Sequence, residues 1–379
     1  MSSTPDIETL REQSHIYAPD VFFKPSQSQG DSGSVLYQFI TSLRPGMDLS
    51  SMMCPMFAIR PVSFLELLAV YTQPNKSLLK TASEKDPEKC IINIVEWLIS
   101  TLTITPQNGL SGIKPYNPVL GEQFHCKWLH DDGSTTTYDA EQISHHPPIC
   151  SIRIHNEVHG FTYNSTGEMK ARFRGNYADS SVDGQHILTL PNGHNYDITW
   201  PCVAARGLIW GTSRIEHSSN LQVTCKETGY SVTVCFDYSD HKFDGHIFKQ
   251  GKKTHQVAGS LSDSTYVKNL STKNKTVILE TKKIVREKYV VAEVYDQKPN
   301  ESRRVWHSVT FALKTGDLDA AGRYKNEVEE AQRVLARERK EKQEQWVPKM
   351  FQPTDRKSSF DTTVYEYSIQ TPVEGPLLK

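Results

Sequence analysis

The sequence is short of nearly everything that would class a protein at a glance. Its seven cysteines (54, 90, 126, 150, 202, 225 and 235) never reach CxxC spacing, which excludes a zinc ribbon or a disulfide frame and reads as reduced thiols in a reducing compartment. Charge of one sign is missing: 43 basic residues stand against 44 acidic ones. A general nucleic-acid binder, or a protein held on membranes mainly by charge, would be more basic. No apolar run approaches a membrane span, and Met1-Ser2-Ser3-Thr4-Pro5-Asp6 has neither the basic flank nor the apolar stretch of a secretory signal. There is no repeat of fixed period, no nucleotide-binding glycine loop and no convincing nucleophile–base pair. These absences lead us to expect a cytoplasmic, monomeric protein with no catalytic residue, no cofactor, no metal and no nucleic-acid partner. With 379 residues, one large domain or two ordinary ones can each bury a substantial core.

What is present falls into four parts, about 1–45, 46–115, 116–312 and 313–379, read as one domain. The first thirty or so residues are polar and broken by Pro19, Pro25 and Gly30, the composition of a mobile tail. Val35, Leu36, Phe39, Ile40 and Leu43 then keep helical spacing until Arg44-Pro45-Gly46 stops them. They suit either a helix docked on the main body or a movable lid over a cavity. Pro61 opens a helical run through Tyr71, and Asp86-Pro87 caps another in which Ile91, Ile94, Val95, Leu98 and Leu102 mark one face.

From about Gly121 to Trp306 the texture becomes short alternating runs divided by turn signals such as Asp131-Asp132-Gly133, Pro191-Asn192-Gly193 and Glu227-Thr228-Gly229. No helical period interrupts them, so the expectation is one antiparallel meander. A meander of well over eight strands must curl or close to protect its edges, and then encloses more space than its own side chains fill. Two stacked sheets with a solid core remain the alternative. A charged helix capped by Asp317 or Asp319 follows, running through Lys340 and ended by Trp346-Val347-Pro348. The remaining tail is polar and is expected to lie across the surface.

Three groups of residues stand out chemically. In Glu141-Gln142-Ile143-Ser144-His145-His146-Pro147-Pro148 two imidazoles precede two prolines, which push the backbone before them toward extended angles. The rings can satisfy loop carbonyls, hold a metal with Glu141 or Asp139, or meet an anion. On extended backbone adjacent side chains point apart, so gripping one ion or one phosphate requires a bend or bulge between them. Lys114 and Asn117 stand three apart in Ile113-Lys114-Pro115-Tyr116-Asn117-Pro118-Val119-Leu120-Gly121-Glu122, on a path fixed by two prolines. Lys325, Glu329 and Arg333 are spaced four apart and stack along one helix face. That stripe suits a solvated ion-pair ladder or a grip on a polyol phosphate.

Taken in order, Asp48-Leu49-Ser50-Ser51, the segment Lys114 to Glu122, the octapeptide Glu141 to Pro148, Ser302-Arg303-Arg304-Val305-Trp306 and Glu329-Glu330-Ala331-Gln332-Arg333 resemble the oxysterol-binding-protein-related lipid transfer family, in its short single-domain form. The octapeptide matches that family's signature letter for letter. The resemblance implies a mainly β (α+β) fold: a large incomplete antiparallel β-barrel around a lipid tunnel, with N-terminal helical segments and lid and a C-terminal helical subdomain. It implies phosphatidylinositol 4-phosphate at the tunnel mouth. His145, His146 and Arg333 would hold the 4-phosphate, Lys114 and Asn117 the glycerol-linked phosphate, and Lys325 and Glu329 the inositol ring.

The second cargo would be phosphatidylserine or a sterol, carried in exchange by transient contact with membranes of the endoplasmic reticulum, Golgi or cell surface. Pro45 to Ser50 and Arg206-Gly207-Leu208-Ile209-Trp210-Gly211 are similar to phosphatidylserine-carrying relatives and tilt the expectation that way. Two alternatives stand beside this one: a lipid sensor without net transfer, and a metal-assisted hydrolase using His145 and His146.

Overall fold

The structure is a computed structural model that describes residues 5–17, 44–49, 56, 59–103, 114–212, 214–237 and 241–368. The five apolar residues proposed as a lid, at 35, 36, 39, 40 and 43, lie outside the described residues.

Turn signals and alternation do produce one antiparallel meander. Its strands are β3 (Gln123–Leu129), β4 (Thr135–His145), β5 (Pro148–Asn156), β6 (Phe161–Phe173), β7 (Tyr177–Thr189), β8 (Asn195–Thr199), β9 (Cys202–Arg206), β10 (Arg214–Ser218), β11 (Asn220–Cys225), β12 (Tyr230–Phe236), β13 (Lys242–Lys249), β14 (Lys252–Ser260), β15 (Ser264–Asn269), β16 (Lys275–Glu280) and β17 (Tyr289–Val290). They form one fifteen-stranded sheet running from β16 across to β17, with β9 and β10 branching from β7. The two ends are not hydrogen-bonded to each other among the described residues, so the barrel is incomplete. Tight bending needs close backbone approach at Gly184 and Gly245. A Cβ there would sit 1.9 Å from the Thr166 carbonyl oxygen and 2.2 Å from that of Thr233, so no larger residue fits.

Among the described residues four α-helices precede the sheet: α1 (Ile7–Glu12), α2 (Phe64–Tyr71), α3 (Lys76–Ser83) and α4 (Pro87–Leu102). Asp86 caps α4 through the Glu88 amide, as its position before Pro87 predicts. The helix α2 begins three residues later than Pro61 suggested. Ile59–Ser63 instead form a short strand, β1, parallel to β2 (Lys114–Tyr116), and the Ser63 hydroxyl donates to Glu122 in place of capping the helix. The apolar face of α4 enters the concave side of the sheet. Trp97 is fully buried there and meets Tyr163 edge-on, ring centroids 5.9 Å apart.

That packing does not extend along the whole sheet. In a sheet with one packed and one wet face, burial alternates, as it does along β11. From Tyr177 to Asp183 of β7 all seven residues are half-buried, as is the facing run Glu168–Ala171 of β6. Along this stretch neither face of the sheet is fully buried.

After the sheet come α5 (Ser302–Val305), α6 (His307–Thr315) and α7 (Leu318–Glu341), the last capped by Asp317 through the Ala320 amide. The chain's first residues depart from the expected mobile tail. Leu10 and Ile16 are buried, the Tyr17 hydroxyl donates to the Arg303 carbonyl at 2.7 Å, and Lys314 donates to the Ile16 carbonyl. The polar composition of this segment hid two apolar anchors. The C-terminal tail also departs, folding into the hairpin β18 (Phe351–Lys357) and β19 (Thr363–Tyr367), whose Phe351 and Val364 are buried.

Three histidines make this fold sensitive to acid. Burial drives the imidazoles of His186, His217 and His307 down to about 4. In the unfolded chain they titrate near 6.5, so their native environments contribute full stability above that pH and lose it as pH falls from 6.5 toward 4. Melting should therefore occur at a lower temperature at pH 5 than at pH 7. Equal midpoints at the two pH values would contradict this account.

Candidate functional site

The octapeptide closes a hairpin rather than lying extended. His145 ends β4, Pro148 begins β5 and the two pair with each other. The turn between them is His146–Pro147, joined by a cis peptide bond, with Pro147 in the third position of a four-residue turn. A register shift in β4 between Gln142 and Ser144 supplies the bulge. Turn and bulge together bring the two imidazoles side by side, centroids 4.6 Å apart with planes at 66°. The geometric obstacle to both rings meeting one phosphate is thereby removed.

The lead-in segment is hydrogen-bonded directly to this hairpin. Gly121 N–H donates to the Gln142 carbonyl at 2.9 Å, and Gln142 N–H donates to the Glu122 carbonyl at 2.9 Å. Gly121 has φ +79°, a left-handed conformation suited to glycine. A Cβ there would also fall 2.5 Å from the Trp346 ring. The side chain of Asn117 turns its Oδ1 into the protein, where it has no hydrogen-bond partner. Lys114 reaches the Leu49 carbonyl at 3.2 Å, which ties in the short segment 46–49 lying along the end of β6.

The charged stripe of α7 completes the cluster. Lys325 is buried and bonds Glu329. Arg333 lies 3.6 Å from the other Glu329 oxygen and donates to Glu330 at 3.1 Å. The ladder expected of such spacing is present, but it is not merely solvated, because the Glu329 charge acts on His145. His145 is held below the ordinary imidazole range by burial first and by neighbouring His146 second, against the opposing pull of the Pro118 carbonyl and Glu329. Its Nδ1 is buried without a hydrogen-bond partner. So the hairpin is bonded to the lead-in turn and feels the charge of the stripe, and among the described residues the His145 Nδ1 and the Asn117 Oδ1 are buried without partners. Such atoms cost free energy unless a ligand satisfies them.

The metal reading loses its ligands in this arrangement. The Glu141 carboxylate accepts from the backbone N–H groups of Lys349 (2.8 and 3.1 Å) and Met350 (2.8 Å). Asp139 bonds His125 at 2.6 Å. Among the described residues no three His, Cys, Asp or Glu side chains are placed to hold a metal ion.

A family model described as oxysterol-binding protein matches residues 38–312 and 310–372. The chain belongs to the oxysterol-binding protein family. Oxysterol-binding protein-related protein 8 of Homo sapiens is 33% identical over 361 residues, covering 91% of this chain and 40% of that protein. An oxysterol-binding protein-like protein of Candida albicans, OBPa, is 31% identical over 335 residues, covering 86% of this chain and 77% of its own length. The chain spans about 40% of the length of oxysterol-binding protein-related protein 8 of Homo sapiens and of Mus musculus. Among solved structures, the Osh1 ORD domain in complex with cholesterol superposes with a TM-score of 0.75 at 18% identity, over 95% of this chain and 93% of that one. The Osh3 ORD of Saccharomyces cerevisiae in complex with PI(4)P gives 0.68 at 21% identity, over 91% and 92%. Both establish the fold.

Within this oxysterol-binding protein fold, the residues that hold the site together escaped sequence reasoning. Buried Glu122 accepts from Ser63, from Val119 N–H at 3.0 Å and from Trp306 Nε1 at 2.9 Å. It thereby joins β1, the lead-in turn and the C-terminal helices. Burial pushes its carboxyl upward, against these hydrogen bonds. Tyr116 stacks on Trp306 at 4.6 Å. Glu141 and Trp346 hold the segment after α7 against both signature stretches. The sequence signal for Glu122 was a carboxylate directly after a left-handed glycine. Glu141 gave none, since its partners lie over two hundred residues later. No described helix is long and apolar enough to cross a membrane.

Proposed function

We propose that this chain binds phosphatidylinositol 4-phosphate by its headgroup at the rim of the sheet and exchanges it for a second lipid, phosphatidylserine or a sterol, between membranes. The observation that supports the reading is that the His145–Pro148 hairpin is bonded to the lead-in turn through Gly121 and Gln142 and feels the Glu329 charge at His145, whose Nδ1, like the Asn117 Oδ1, is buried without a hydrogen-bond partner among the described residues. A phosphomonoester brings up to two negative charges and strong acceptor oxygens. Arg333 offers a planar fork to it and the imidazoles offer donors that gain charge in its field. Lys325, already paired with Glu329, leaves the carboxylate to accept from ring hydroxyls. Acyl chains would be taken up in the interior of the incomplete barrel, at about 0.8 kcal/mol per buried methylene. Related structures support a phosphoinositide and a sterol as cargo: Osh3 was solved with PI(4)P and Osh1 with cholesterol and ergosterol.

Mass spectrometry of lipids that co-purify with the intact protein tests the cargo. The expected result is one phosphoinositide or one second lipid per chain, and lipid-free protein would count against the reading. Transfer is separated from sensing by a donor-to-acceptor vesicle assay, in which phosphatidylinositol 4-phosphate should move one way and the second lipid the other.

Binding should also take up protons. His145 is neutral in the free protein because its pKa is lowered, and a bound phosphate dianion pulls it back upward. Affinity should therefore rise as pH falls from 8 toward about 6, below which the phosphate itself protonates. Calorimetry in buffers of different ionisation enthalpy should report net proton uptake. Proton release on binding would contradict the assigned charge states.

A further inference from the structure

The loop between β9 and β10 is built unlike an ordinary surface turn. Trp210 is 66% exposed and Ile209 42% exposed, and Met47, bonded to Phe173 at the end of β6, is 41% exposed. The backbone that displays them is fixed. Asn176 accepts from the Ile209 and Trp210 N–H groups at 2.9 and 3.0 Å, donates to the Trp210 carbonyl at 2.9 Å, and its own carbonyl accepts from Leu208. One asparagine holds an indole and an isoleucine out in water, at a cost the fold does not recover from contacts of its own.

The loop stands at the same end of the sheet as the site. Ile149, next to the His145–Pro148 turn, pairs with Glu168, and β6 runs on past that level to Phe173, where β7 begins at Tyr177. At about 3.3 Å per residue this extension projects roughly 17 Å beyond the hairpin. Arg206, the base of the loop, pairs with Tyr177. The segment 46–49 joins the two regions, since Gly46 N–H donates to the Phe173 carbonyl at 2.7 Å and the Leu49 carbonyl accepts from Lys114.

Charge around the loop is of one prevailing sign. Arg44, Arg172, Arg174, Arg206 and Arg214 surround it, against Asp48, Asp179 and Glu216. Arg174 bonds Asp179 at 3.1 Å and buried Glu216 bonds both Arg206 and Arg214, so the arginines named outnumber the carboxylates by two. Between Arg206 and Arg214 the sequence contains no acidic residue.

We infer that the 207–211 loop, with Met47, is the surface by which this protein seats itself on an anionic lipid bilayer, inserting Trp210 and Ile209 below the headgroups while the arginines meet lipid phosphates and carboxylates. Indole side chains favour this boundary, and basic residues around an apolar wedge strengthen it on anionic lipid. The placement puts the site's rim toward the membrane. This surface serves the exchange proposed above and in that respect rests on it.

The test uses the whole protein and vesicles of phosphatidylcholine, with or without phosphatidylserine, carrying bromine on their acyl chains. Of the six tryptophans Trp97, Trp128 and Trp306 are buried and Trp200 and Trp346 half-buried, so the part of the quenching that the Trp210 substitution removes is the part that reports on Trp210. Quenching should be strong with phosphatidylserine and weaker without it. Trp210→Ser with Ile209→Ser should lose the quenching and bind vesicles about tenfold less tightly or worse. Arg172→Ala and Arg174→Ala should each cost roughly fivefold on the anionic vesicles alone.

Equal binding by the double serine variant would overturn the inference. So would quenching that ignores phosphatidylserine, or self-association that buries Trp210 in the absence of vesicles. A water-soluble, short-chain phosphatidylinositol 4-phosphate separates the two proposals. The double serine variant should bind it as the native protein does. If the native protein fails to bind it yet is quenched by the vesicles, the docking surface stands and the headgroup assignment falls.

Discussion

His145→Ala combined with His146→Ala is expected to reduce phosphatidylinositol 4-phosphate binding about a hundredfold or more while leaving the fold intact. Each imbalance removes a hydrogen bond to a charged partner, worth about 1.5–3 kcal/mol, and two such losses reach that range. The fold should tolerate the change because neither ring ties strands together: His146 sits in the turn, and the Nδ1 of His145 has no hydrogen-bond partner among the described residues. Circular dichroism should be unchanged, and vesicle extraction should fail. Extraction at the native level by the double variant would remove both rings from the site.

The second large effect is expected at a residue that touches no ligand. Glu141→Ala strips the acceptor from the Lys349 and Met350 N–H groups and leaves both without their partner in a largely buried setting. Hydrogen bonds to a charged group contribute about 1.5–3 kcal/mol each, so the variant should melt several degrees lower. It should also weaken headgroup binding, because the segment after α7 would no longer be clamped to β4. Trp346→Ala, which frees the Gly121 face of the same brace, should weaken binding in the same direction with a smaller loss of stability. A Glu141→Ala protein with native melting and native affinity would show that the brace positions nothing.

How much of this was legible in the sequence varied with the range of the forces involved. Local signals read well. Asp86-Pro87 and Asp317 cap helices where their side chains can reach the amides of the first turn, and the turn residues from Asp131 to Gly229 divide strands as their φ preferences require. The octapeptide, the lead-in turn and the α7 stripe were each visible as unusual residues at fixed spacing.

Their meeting was not visible from spacing. It depends on Gly121 pairing with Gln142, on Glu122 reaching Ser63 and Trp306, and on Glu141 reaching residues 349–350. Two local readings failed for the same reason. Pro61 resembled a helix start, but parallel pairing with Lys114–Tyr116 drew Ile59–Ser63 into a strand. The polar N-terminus resembled a tail, yet Leu10, Ile16 and Tyr17 found a surface on the distant α6 region.

The central claim is that the 4-phosphate is what this rim recognises. The most direct measurement compares extraction of phosphatidylinositol 4-phosphate and phosphatidylinositol, with identical acyl chains, from the same vesicles. The account predicts uptake of the phosphorylated lipid to one molecule per chain and little of the other. Equal uptake of both, or of neither, would contradict it.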